Sequence, residues 1–115
     1  MAVILVADDE AMIRDLVSTL LRSAGHEVMT AANGLEAVAL FRSFRNRISL
    51  VITDIRMPVM DGNEVVKLVR EERPGAPIIC MTGFAERVPE GVPVLSKPFR
   101  TEQLRECVER ALAVK

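Results

Sequence analysis

The chain has 115 residues, half of them hydrophobic and 27% charged, which is the composition of a single globular domain with one sizeable core. Fifteen Lys and Arg stand against sixteen Asp and Glu, with no basic block, so a nucleic-acid surface or an anionic-membrane surface is not expected. No apolar run is long enough for a transmembrane helix, and "MAVILVADD" lacks the flanks of a signal peptide, so the expected location is cytosolic.

The first strand is expected over 3–7, ending in Asp8, Asp9 and Glu10. Met12, Ile13, Leu16, Val17, Leu20, Leu21 and Ala24 then recur at helical spacing, and Gly25 is the candidate C-terminal stop. His26, the lone histidine, falls in the following turn and reads as an exposed structural residue. A second strand is expected over 27–31. Asn33-Gly34 opens a second helix carrying Ala37, Val38, Leu40, Phe41 and Phe44.

A third strand over 50–53 stops at Asp54. A carboxylate at the end of a run buried on both faces is costly to desolvate, so it calls for a partner or a use. Asp61-Gly62 reads as a turn, and Asn63 as the opening of a third helix with Val65, Val66, Leu68 and Val69, closed by Pro74-Gly75. A fourth strand over 77–81 runs into Thr82. In the segment 83–92, "GFAERVPEGV", Pro89 and Gly91 interrupt any helix, so a loop with at most one helical turn is expected. A fifth strand over 93–96 ends in Lys97-Pro98. Thr101 is the candidate cap of a last helix with Leu104, Cys107, Val108, Ala111 and Leu112 on its apolar side. Cys80 and Cys107 have no metal-binding or redox spacing and read as core.

Continuous apolar strands alternating with amphipathic helices imply a doubly wound α/β domain, a five-stranded parallel sheet covered on both faces. Ligands of such sheets bind outside the carboxyl ends of the strands, at the point where strand order reverses. Asp8, Asp9, Asp54, Thr82 and Lys97 all fall on that edge. In the flavodoxin-like order 2-1-3-4-5, strands one and three are neighbours and several carboxylates share one cleft. Mg²⁺ would relieve their repulsion, while Lys97 and Thr82 would supply the positive charge and the hydroxyl that a transferring phosphoryl group needs.

With "VADDE", "ITDIRMPVMDG", "MTG" and "LSKPF" in this order at the strand ends, the chain resembles the response-regulator receiver domain of two-component signalling along essentially its whole length. The resemblance implies that Asp54 is the phosphoacceptor. It further implies that Asp8, Asp9, Asp54 and the backbone carbonyl of Arg56 hold Mg²⁺, and that Thr82 and Lys97 contact the phosphoryl group. The implied partner is a histidine kinase or a histidine phosphotransferase, the implied chemistry includes self-catalysed dephosphorylation, and the Lys97-Pro98 bond is expected to be cis.

Two positions depart from the family pattern. The fourth helix is reduced or absent, and Val94 stands where receivers often carry a switching Tyr or Phe, so the loop 83–92, with Phe84, becomes the expected mobile element. A haloacid-dehalogenase-type phosphatase fits less well, because that family expects an Asp two residues after a first-strand nucleophile and Asp8 is followed by Asp9 and Glu10. A receiver-like module that has lost phosphorylation is disfavoured by the presence of all the expected site residues.

Overall fold

The computed structural model describes residues 2–83 and 87–113. The strands β1 (Val3–Ala7), β2 (Glu27–Ala31), β3 (Leu50–Asp54), β4 (Ile78–Thr82) and β5 (Val94–Ser96) form one parallel sheet in the order β2-β1-β3-β4-β5. Helices α1 (Ala11–Ser23), α2 (Gly34–Phe44), α3 (Gly62–Glu72) and α4 (Thr101–Ala113) complete the expected alternation. Among the described residues no helix separates β4 from β5.

Strand composition explains strand placement. Every residue of β3 and β4 is buried, as a central strand covered on both faces requires, while the edge strands β2 and β5 mix buried and exposed positions. Alternate side chains divide between two cores. Leu5, Ala7, Val51, Ile78 and Cys80 pack with Ala37, Val38 and Phe41 of α2 and with Val65, Val66 and Val69 of α3. Ile4, Val6, Leu50, Ile52, Ile79 and Met81 pack with Val17 and Leu21 of α1 and with Leu104 and Val108 of α4.

Several local expectations are corrected. The α1 stripe is narrower than its sequence periodicity: Met12 is 84% exposed and Leu16 48% exposed, whereas Ser18 is buried beside Val17 and Leu21. His26 is half-buried rather than exposed, because its Nδ1 accepts the Ala2 N–H at 3.1 Å. Asp61 is more than a turn residue. It is the N-cap of α3, accepting the Glu64 N–H at 3.0 Å, and Asn63 lies inside the helix. Thr101 is the first helical residue of α4 rather than its cap; the cap position belongs to Arg100, whose carbonyl accepts the Leu104 N–H and whose own N–H is taken by Gln103 Oε1 at 2.7 Å. Asn33 caps α2 as expected, accepting from Glu36 N, and Gly25 adopts φ +93° just past α1.

Residues 87–92, ahead of β5, form a strap laid on α3. Val88 and Val92 pack against the core shared by α2 and α3. Asn63 Nδ2 donates to the Arg87 carbonyl at 3.2 Å, and an Arg70 guanidinium nitrogen donates to the Glu90 carbonyl at 2.9 Å. Side chains of α3 thus supply the backbone partners that a fourth helix would have provided internally. Phe84 lies outside the described residues.

Candidate phosphoryl-acceptor site

The parallel pairing of β1 with β3 sets Ala7 opposite Thr53, so the residues that follow each strand position, Asp8 and Asp54, emerge side by side. Asp8 continues the row of Ile4 and Val6, Asp54 that of Leu50 and Ile52, and Lys97 that of Leu95, which brings all three to the α1 and α4 side of the sheet edge. Asp8 is fully buried and Asp54 is 6% exposed. Lys97 Nζ lies 2.7 Å from Asp8 Oδ2, 3.4 Å from Asp54 Oδ2 and 3.7 Å from Glu10 Oε1. The Lys97–Pro98 bond is cis.

Backbone groups hold the carboxylates in place. Asp8 Oδ1 accepts the Glu10 N–H at 2.9 Å, and Asp54 Oδ1 accepts the Ile55 N–H at 2.9 Å. Arg14, on the first turn of α1, donates to the Asp8 carbonyl at 2.8 Å. Gly62 is packed directly against this backbone: a Cβ there would overlap the Asp54 carbonyl and the Ile55 Cα.

Burial pushes the Asp54 carboxyl up to about 6, from an ordinary 3.8; the Asp8 charge adds to the rise, and the charge and hydrogen bond of Lys97 and the Ile55 N–H only partly offset it. Burial alone would lower the Lys97 pKa, but its hydrogen bond and ion pair with Asp8, and then those with Asp54, raise it above the ordinary 10.5. Asp54 is therefore a carboxylate whose ionisation is opposed, beside an ammonium that stays charged.

Asp8, Asp9 and Asp54 each offer a carboxylate oxygen to one point, these atoms lying within 4.8 Å of one another. Asp9 is exposed while the other two are buried. Hard oxygen donors with open coordination positions suit Mg²⁺, which keeps several waters and accepts substrate phosphate oxygens as further ligands. The donor set fits the ion. Thr82 is buried at the end of β4, and its carbonyl accepts the Lys97 N–H at 2.7 Å. Arg56, two residues beyond Asp54, is exposed. Sequence reasoning brought out Asp8, Asp9, Asp54, Thr82 and Lys97 but not Arg14, whose anchoring of Asp8 depends on where α1 begins.

Buried Asp54 therefore stands beside Asp8, Asp9 and Lys97 at the strand-order reversal of a five-stranded doubly wound α/β sheet, the edge at which such domains bind ligands. The chain matches the response regulator receiver domain over residues 4–109 and belongs to that family, whose members accept phosphoryl groups on an aspartate. It is 46% identical over 83 residues to the probable transcriptional regulator ycf27 of Porphyra purpurea, covering 72% of this chain and 33% of that protein. It is 30% identical to sporulation initiation phosphotransferase F of Bacillus subtilis (strain 168), covering 97% and 94% of the two chains. The crystal structure of a response regulator receiver domain protein from Clostridium thermocellum superposes with a TM-score of 0.92 at 31% identity, covering 98% and 95%. The chain thus spans about a third of the length of the regulator from Porphyra purpurea and nearly all of the phosphotransferase.

Proposed function

We propose that Asp54 accepts a phosphoryl group from a phosphohistidine of a histidine kinase or histidine phosphotransferase, as the phosphoacceptor of a two-component phosphorelay. The observation that carries this reading is the Asp54 carboxylate itself, buried yet at the open edge of the sheet, 3.4 Å from Lys97 and beside Asp8 and Asp9. A carboxylate oxygen of Asp54 attacks phosphorus as the phosphorus–nitrogen bond of the phosphohistidine breaks. The electron pair of that bond remains on the imidazole, which takes up a proton, and Asp54 carries an acyl phosphate. In a separate hydrolytic step a water oxygen attacks the same phosphorus as the bond from phosphorus to the Asp54 oxygen breaks. The electron pair stays on the carboxylate, one water proton remains on the inorganic phosphate and the other passes to solvent, so the domain catalyses its own dephosphorylation.

Asp8, Asp9, Asp54 and the Arg56 carbonyl are the groups proposed to hold Mg²⁺, which when bound supplies positive charge against the phosphoryl oxygens. Lys97 turns from Asp8 to a phosphoryl oxygen, and the Thr82 hydroxyl donates to another. The domain then signals or relays through its changed surface. Neither nucleic acid nor membrane is proposed as a partner of this domain, and among the described residues no helix is long and apolar enough to cross a membrane. A cytosolic location belongs to the same proposal.

The test is incubation with acetyl phosphate and Mg²⁺ followed by mass analysis. A base-labile phosphoryl adduct on wild type and none on Asp54→Asn is expected; equal labelling of the variant would refute the assignment.

A further inference from the structure

Val59 has φ +70°, the only positive φ among the described residues other than glycine. A β-branched side chain is strained in that region, because its second γ-carbon crowds the backbone carbonyl. The Met60 N–H donates to the Pro58 carbonyl at 2.7 Å, so Val59 is the central residue of a γ-turn, whose positive-φ form is the rare and strained one.

The turn is held from both sides. A Cβ on Gly34 would overlap the Met60 carbonyl, so the start of α2 abuts the loop directly, and the Gly62 N–H donates to the Ile55 carbonyl at 2.7 Å. These contacts fix the backbone of Met60 and the two ends of the loop that carries Val59. Packing within the chain does not offset the strain, since Val59 is 78% exposed. Glycine or asparagine would adopt the same turn at lower cost. An apolar group held at a cost and turned to solvent calls for a contact outside the chain.

Its position indicates which contact. Val59 lies on the loop that leaves Asp54 at the carboxyl edge of the sheet. Phosphoryl transfer requires the donor's phosphorus to come within bonding reach of a carboxylate that is only 6% exposed. A histidine-bearing protein that brings its imidazole so close must lay its own surface over the surrounding loops, whereas acetyl phosphate need touch none of them.

We propose that Val59 is a specificity-determining contact for the protein phosphodonor, its isopropyl group being buried against the donor during transfer. This rests on the phosphoacceptor reading of Asp54.

The experiment compares wild type, Val59→Asn and Val59→Leu with two donors: acetyl phosphate, and whichever autophosphorylated histidine kinase or phosphotransferase of the source organism transfers fastest to wild type. Asparagine relieves the strain and removes the apolar group, so the melting temperature of Val59→Asn should rise by about 2–5 °C. Its labelling by acetyl phosphate should stay within about twofold, while transfer from the protein should slow by about tenfold, the loss expected for one buried apolar side chain. Val59→Leu keeps the apolar contact and the strain, and should transfer within about threefold of wild type without the rise in melting temperature.

Unchanged transfer to Val59→Asn, an equal loss with both donors, or no protein donor for a wild type that acetyl phosphate labels would each overturn the proposal alone. A wild type that acetyl phosphate does not label would overturn the phosphoacceptor reading and this inference with it.

Discussion

Replacing Asp54 by Asn should make the metal-free protein more stable, although it removes the residue on which the chemistry depends. The gap between 3.8 and about 6, at about 1.4 kcal/mol per pH unit, corresponds to about 3 kcal/mol by which the ionised carboxylate opposes folding at neutral pH. That figure is already net of the attraction to Lys97. The asparagine keeps an oxygen to accept the Ile55 N–H, but its amide nitrogen then faces Lys97, a cost of about 1 kcal/mol, which leaves a gain of about 2 kcal/mol at pH 7.5. For a carboxyl whose folded pKa is raised, the penalty is absent below the unfolded value and complete above the folded one, so it grows as pH rises from about 4 through about 6. Urea unfolding of both proteins in a chelator should therefore show Asp54→Asn to be more stable than wild type by about 2 kcal/mol at pH 7.5, with the advantage gone near pH 4.5. Titrating groups that do not interact with Asp54 are common to both proteins and cancel in the difference. A difference that does not change with pH, or a variant less stable than wild type at pH 7.5, would refute the claim that burial and Asp8 disfavour the Asp54 charge.

Mg²⁺ at ten times its dissociation constant should stabilise wild type by about 1.4 kcal/mol, and Asp9→Asn should lose most of that shift in a thermal melt; no shift at millimolar Mg²⁺ would contradict the metal assignment. Gly62→Ala should destabilise by about 2 kcal/mol or more, because its Cβ would overlap the Asp54 carbonyl, whereas helix propensity alone would have it stabilise by about 1 kcal/mol; urea unfolding gives the sign. Cys80 is buried and its thiol is pushed up to about 12, so thiol reagents should modify half-buried Cys107 first and reach Cys80 only on unfolding, as peptide mapping would show. Arg70→Ala removes the hydrogen bond to the Glu90 carbonyl and should speed amide exchange in residues 87–92 while changing global stability by about 1 kcal/mol or less; uniform protection would mean that α3 does not hold the strap.

The alternation of strands and helices, the burial of β3 and β4, and the delivery of Asp8, Asp54, Thr82 and Lys97 to one edge were legible in the chain, because they follow from hydrophobic period and from parallel pairing. The Asn33 cap and the Gly25 stop were legible for a similar reason, since a cap is decided by the few residues around it. Other features depend on what arrives from elsewhere in the fold. Met12 and Leu16 share the helical period of Val17 and Leu21, yet they are exposed because the sheet beneath α1 covers a narrower arc than the apolar stripe. The sequence pointed to Asn63 as the opening of α3 and to Asp61 as a turn; in the fold Gly62 packs on the Asp54 backbone, the helix starts earlier with Asp61 as its cap, and Asn63 is left to hold the strap. His26 meets the Ala2 N–H, and Arg14 the Asp8 carbonyl, only after α1 has docked on the sheet. Periodicity records which side of an element avoids water, whereas a close approach between two backbones is set by the packing of the whole domain, and the raised Asp54 pKa and the strain at Val59 were visible only once that packing was known.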